Sequence, residues 1–237
     1  MTTFPAAQRH SAPEEIFPDV YLVRGSYQMG PMLSICRNMM VLRSGESLTL
    51  VNAIRLTPEG EAALARLGTV RHLVKLGHFH TLDDPYTRDR YSPTFWTARP
   101  KDGASQQLVD GEPGPDPRTR AFSFQATSEG EAALILSQPV GNLLLTCDSV
   151  QHWPDTSGCS LLGGVTARAM GFLREPAKVG PIWARQLTGG HPEKLRPDFD
   201  RLLAHEFSHL VSGHGSVLRE VARTSLKDTC DKVLGAG

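Results

Sequence analysis

The chain alternates between short apolar runs and clusters of turn residues, a pattern that predicts strands more often than helices in its first third. The runs IFPDVYLVRG (16–25), MLSICRNMMVLR (32–43) and LTLVNAI (48–54) read as strands, with SGES turning the second into the third, so the opening is a β-meander. Thr57 followed by Pro58 marks a helix start, because the Thr side chain accepts from a free N–H and Pro is tolerated at the first helical position. Ala62, Ala63, Leu64 and Leu67 give that helix one apolar face, and Gly68 ends it. VRHLVKL (70–76) returns to a short buried strand, and a helix feeding such a strand predicts mixed α and β layers.

Further along, DGEPGPDPR (110–118) holds three prolines and two glycines, which exclude regular structure and mark an exposed connection. AFSFQAT, AALILS and NLLLTCD follow as three strands. VTARAMGFLRE and the first part of PDFDRLLAHEFSHL predict helices. Val217, Leu218, Val221, Ala222 and Leu226 fall on one face of a helix near the C-terminus. Two sheets covered by helices over a single domain of residues 1–237, with 1–14 a flexible N-terminal segment, is the expected architecture.

Composition narrows the function. The 25 basic and 25 acidic residues cancel, leaving no excess positive charge to release counterions from a nucleic acid, so none is expected as partner. The four cysteines, Cys36, Cys147, Cys159 and Cys230, form no CxxC pair, a usage that fits buried thiols in the cytoplasm better than a disulfide framework. The start lacks the apolar core of a signal peptide and no run reaches the roughly 18 apolar residues of a membrane span, so no membrane partner is expected.

The chemistry gathers at strand ends. His78 and His80 follow VRHLVKL, Asp148 follows NLLLT, and His214 lies in SGHGS. In an extended segment residues i and i+2 point to the same side, so His78 and His80 could hold one cation. Asp83 and Asp84 come next, offering hard oxygen ligands or acceptors for an imidazole N–H.

This order and context resemble the metallo-β-lactamase superfamily, whose first motif is HxHxDH, whose bridging Asp ends a strand and whose last His sits in a GHG-like turn. The resemblance implies an αββα sandwich, α+β in class, with two mixed sheets flanked by helices. GHFHTLDD keeps both histidines but has Leu82 at the motif's Asp and Asp83 at its next His, and Thr127 stands near the place of a later His ligand. What the resemblance leaves as ligands is His78, His80, Asp148 and His214, with Asp83 as a fifth and with Asp83 and Asp148 as the catalytic carboxylates. Such a set implies at most one ion, zinc, manganese or iron, since a catalytic zinc needs about three protein ligands. A metal there lowers the pKa of bound water and polarises a carbonyl or phosphoryl oxygen, which implies hydrolysis of a small-molecule ester, thioester, lactone or phosphoester.

Two other readings stay open. With ligands missing, the chain could be a metal-free member of the same fold that binds a small molecule or a protein. His205, Glu206 and His209 also spell HExxH, the zinc-protease pattern when it lies on a helix, although the following LVSGHG turns to strand at once and supplies no third ligand. Cys147, ending an apolar strand, reads as an inert buried thiol.

Overall fold

The computed structural model describes residues 3–101 and 105–235. Its first sheet has seven strands in sequential order: β1 (Glu14–Phe17), β2 (Val20–Gly30), β3 (Leu33–Ser44), β4 (Ser47–Val51), β5 (Thr69–Lys75), β6 (Thr94–Thr97) and β7 (Ser105–Gln107). β1 to β4 pair antiparallel as the predicted meander, and β4 to β7 run parallel. The expected 16–25 strand is broken: Asp19 takes a left-handed φ of 58°, and the Pro18–Asp19 turn separates β1 from β2. Between β4 and β5, α1 (Pro58–Leu67) starts where the sequence placed it, with the Thr57 hydroxyl accepting from Gly60 N at 3.3 Å. A shorter helix, α2 (Asp84–Tyr91), links β5 to β6.

The second sheet contains β8 (Thr119–Ser123), β9 (Ala132–Leu136), β10 (Leu143–Leu145) and β13 (His209–Val211), in the order β13-β10-β9-β8 with β13 parallel to β10. A two-stranded ribbon, β11 (Val150–Gln151) with β12 (Lys178–Val179), leaves it beside the strand ends. The remaining helices are α3 (Leu161–Ala169), α4 (Pro181–Leu187), α5 (Arg196–Leu203) and α6 (Ala222–Val233).

Three apolar layers follow from the alternation along the strands. Leu22, Met40 and Val74 of the first sheet meet Leu134, Leu145 and Val211 of the second, which makes the layer between the sheets. The opposite face of the first sheet, with Val23, Val41 and Leu73, packs on Leu64 of α1. The outer face of the second, with Phe122, Ile135 and Leu210, packs on Trp183 of α4, Phe199 of α5 and Leu226 of α6. The order is helix, sheet, sheet, helix, the predicted α+β sandwich.

Three further expectations need correction. Residues 8–11 are tied along β2 rather than loose: Ser11 N donates to Arg24 O at 2.7 Å and Ser26 N to Arg9 O at 3.0 Å, while Met1 and Thr2 of the expected flexible segment lie outside the described residues. The helix expected in VTARAMGFLRE begins earlier, where Ser160 caps Gly163 N, and stops at Ala169 before Gly171 in a left-handed conformation. Val217 and Leu218 are not helical; Leu218 bridges back to Leu210. The first part of PDFDRLLAHEFSHL is helical as expected, and that helix ends at Leu203, so the HExxH residues do not share one helix. No helix among the described residues is long and apolar enough to cross a membrane.

Candidate metal centre

The parallel ends of β5, β10 and β13 open at one edge of the sandwich, and the loops leaving them carry the strand-end residues. Asn52, just past β4, ties two of these ends: its Nδ2 donates to Thr146 O at 3.1 Å and its Oδ1 accepts from Leu76 N at 3.3 Å. The two segments come so close that a Cβ on Gly77 would stand 2.6 Å from Cys147 Sγ. Only glycine permits that approach. Asn38 of β3 grips the SGHG turn, donating from Nδ2 to Ser212 O at 3.0 Å and to Gly215 O at 2.9 Å.

His80, Asp148 and His214 converge, with one ligand atom from each lying within 4.8 Å of the other two. His80 Nε2 is 3.0 Å from His214 Nε2 and 3.6 Å from Asp148 Oδ2, and His214 Nε2 is 3.1 Å from Asp148 Oδ1. Donors about 2.0–2.2 Å from a tetrahedral ion stand roughly 3.4 Å apart, so these separations fit a shared cation.

The His214 tautomer sharpens the fit. Its Nδ1 lies 2.6 Å from the Cys36 carbonyl oxygen, which only accepts, so Nδ1 carries a hydrogen. In the neutral ring Nε2 is then a lone pair aimed at a carboxylate and at a second imidazole nitrogen. A proton or a cation has to sit among them. Trp153 stacks on His214 with ring centroids 5.9 Å apart and donates from Nε1 to Gln151 Oε1 at 2.7 Å, while Gln151 Nε2 donates to Asp148 Oδ1 at 3.2 Å. Such outer hydrogen bonds fix the orientation of ligating side chains.

Burial lowers the His80 imidazole to about 4, with His214 and Arg37 adding to the effect and Asp148 opposing it. Burial alone would raise Asp148, but His80 and His214 outweigh it and hold the carboxyl well below the ordinary range. For His214, burial is overcome by the hydrogen bond and charge of Asp148, and its affinity for a proton rises. The cluster therefore sets an ionised carboxylate between two imidazoles, with the His80 ring neutral.

Two of the residues predicted as ligands stand elsewhere. Residues 77–79 bend instead of extending, so His78 does not share a direction with His80; its Nδ1 lies 3.7 Å from Glu129 Oε2. Asp83 is buried in a charge contact of 2.6 Å with Arg37, which occupies it as ligand and as catalytic base. Thr127 is buried and its hydroxyl donates to Phe124 O at 3.4 Å, and Leu82 lines the cleft over the cluster. The HExxH residues are separate: His205 lies in the turn after α5, and His209 is on β13 with Nε2 donating to Val140 O at 3.0 Å and Nδ1 accepting from Glu220 N at 3.0 Å. Cys147 is buried and inert, its thiol pushed well up by burial and by Asp148.

Sequence reasoning missed Glu131 and Arg37. Glu131, just before β9, is buried, with Oε2 accepting from His78 N at 3.4 Å and Oε1 without a partner. Burial prevails, reinforced by Asp148, and favours the protonated carboxyl. The signal for both was a charged residue inside or against an apolar run, LSICRNMMVL and GEAALIL, where charges are rare unless paired.

No family model matches the sequence, and no protein of curated function does. Solved structures do match. The DIM-1 metallo-β-lactamase shares 11% identity over 98% of this chain and 99% of its own, at a TM-score of 0.60. A metallo-β-lactamase from Erythrobacter litoralis shares 10% identity over 95% and 96%, at 0.58. A variant of the flavo di-iron protein from Thermotoga maritima shares 13% identity, covering 94% of this chain and 62% of that one, at 0.62. At such identities it is the fold that is shared, and with the layered sheets and the strand-end cluster already in view, this chain has the metallo-β-lactamase fold.

Proposed function

We propose that the protein is a metal-dependent hydrolase that acts on a small-molecule ester, thioester, lactone or phosphoester through one cation held by His80, Asp148 and His214. The observation that carries this reading is the convergence of three ligand atoms, with His214 Nε2 lying 3.1 Å from Asp148 Oδ1 and 3.0 Å from His80 Nε2. Three protein ligands with room for a fourth group is the arrangement of a catalytic rather than a structural zinc. The names of the solved neighbours, a metallo-β-lactamase and a di-iron protein, support a metal centre and leave zinc, iron and manganese as candidates. A divalent cation supplies Lewis acidity, polarising a carbonyl or phosphoryl oxygen and making water a better nucleophile near neutral pH.

The chain's own residues do the rest. The Cys36 carbonyl holds the His214 proton at Nδ1, and Trp153 through Gln151 holds the rotamer of Asp148. Arg37 is neutralised by Asp83, so the ion pair shapes the site without adding net charge. The four thiols suit work in a reducing cytoplasm.

A metal-free binding protein is the second reading. What favours it is the raised proton affinity of His214, since an imidazolium there would itself satisfy Asp148. The test is a turnover screen of the four substrate classes with protein loaded with zinc, manganese or iron. Activity that is lost on chelation, restored by metal and absent from His214→Ala is expected. Metal bound without turnover in any class would overturn the hydrolase reading.

A further inference from the structure

A cleft of about 580 Å³ opens directly above the cluster, with His80, Asp148 and His214 at its floor. Its walls come from distant parts of the chain. Met29, Leu33 and Ile35 of the β2–β3 hairpin line it together with Met170, Phe172 and Ile182 and with Phe79, Leu82 and Trp153. Outside the cluster, Arg37 is the one fully charged side chain among the described lining residues, and Asp83 at 2.6 Å neutralises it. The wall therefore offers apolar contact and no free cation for a phosphate or carboxylate group.

The contrast with the neighbouring cavity is informative. That second space, about 560 Å³, is lined by Lys75, Asp84, Arg99, Lys101 and Glu129 beside His78, so an apolar lining is not general to this edge of the sandwich. Around the first cleft, apolar side chains stay in water at a cost: Met29 is 57% exposed, Met170 44%, Phe79 40% and Ile182 38%. An exposed apolar rim around a cleft marks a binding surface. The wall is also fixed in place. Ser160 caps α3 while its hydroxyl accepts from Ser34 N at 3.0 Å, and a Cβ on Gly163 would stand 2.0 Å from Ser34 O, so α3 is seated hard against β3.

We propose that this cleft binds the aliphatic chain of an amphiphilic acyl substrate, a neutral ester, thioester or lactone of a medium- to long-chain carboxylic acid, with its acyl carbonyl directed to the His80–Asp148–His214 floor. The assignment rests on the hydrolase reading only for the direction of the head group. Continuity of the apolar walls with the cluster argues for one molecule spanning both, and the absence of an unpaired wall charge argues against phosphoesters.

The experiment is a titration of the full-length protein with methyl butanoate, methyl octanoate and methyl dodecanoate below their aggregation limits, in EDTA so that no turnover intervenes. The readout is the fluorescence of Trp153 and Trp183, both in the cleft wall. Burial of each methylene can tighten binding up to roughly fourfold, so dodecanoate is expected to bind at least a hundredfold more tightly than butanoate. Phe79→Asp and Ile182→Asp, at exposed positions where folding is not at risk, should each weaken dodecanoate at least tenfold and flatten the chain-length series. Val109→Asp, an exposed apolar residue outside the cleft, should leave the series unchanged. Affinity independent of chain length, or binding to phosphatidylcholine vesicles with none to the monomeric esters, would overturn the proposal. Metal content of the same protein, measured after zinc loading and before EDTA is added, separates the two claims: chain-length dependence without retained metal sinks the hydrolase reading alone, and retained metal without chain-length dependence sinks the acyl-chain site alone.

Discussion

His209 sits on β13 and His214 in the turn that follows it, yet their ring nitrogens are used in opposite ways. His209 belongs to a complete HExxH spelling and both its nitrogens are spent on backbone groups, Val140 O and Glu220 N, each at 3.0 Å. Its companion Glu206 is exposed near Arg223 at 3.7 Å and faces no ion site. His214 has no such spelling around it. One nitrogen is spent on Cys36 O, and the other faces the Asp148 carboxylate and the His80 imidazole. A histidine becomes a ligand through what its second nitrogen has left to do, and sequence spacing is a poor proxy for that.

The largest effect concerns the polar pair beside the cluster. Arg37→Ala leaves Asp83 as an uncompensated buried charge and should destabilise the fold by about 3–5 kcal/mol in urea unfolding. The double variant Arg37→Met with Asp83→Leu should recover most of the loss. An equal loss in the double variant would mean that the pair does more than neutralise itself, and the comparison would have to include Asp83 in the site after all.

Next comes Asp84, a buried carboxyl outside the cluster that pairs with Lys75 at 3.8 Å. Burial, with Asp83 adding and Lys75 opposing, pushes its carboxyl up from 3.8 to about 6. The native state then binds this proton more tightly than the unfolded chain, so its contribution to stability falls as pH rises through that window, and the cost is complete above it. Asp84→Asn cannot ionise and should gain on the wild type across the same window, by at most about 3 kcal/mol. Parallel pH profiles for the two proteins would show that burial does not set Asp84.

Smaller again, His209→Ala strands a buried N–H and a carbonyl and should cost about 2 kcal/mol without altering metal affinity. His205→Ala, in the turn after α5, should stay within about 0.5 kcal/mol and leave metal binding unchanged. A loss of metal in either variant would break the comparison outright.

Much of this was legible in the chain. The Thr57–Pro58 helix start is local chemistry, and the alternation in the strands reports burial directly, so the sheets could be read and the sandwich expected. His80, Asp148 and His214 were legible because each follows a buried strand. The direction of His78 was not, since a bend at 77–79 depends on Gly77 passing Cys147, a contact across the fold. Arg37 with Asp83, and Glu131 with the two strand-end loops, are pairings between residues far apart in sequence, and periodicity carries no information about them. The helix before HEFSH stops at Leu203 and Phe207 turns into the core, which no three-residue spelling could reveal.

The central claim is that His80, Asp148 and His214 hold a cation and that the HExxH segment does not. Zinc titration by calorimetry of protein purified without a metal-affinity tag tests it most directly. The account predicts about one equivalent, retained in His78→Ala and His209→Ala and weakened more than a hundredfold in His80→Ala, Asp148→Asn and His214→Ala. No saturable binding, or binding that survives His214→Ala and disappears with His209→Ala, would contradict it.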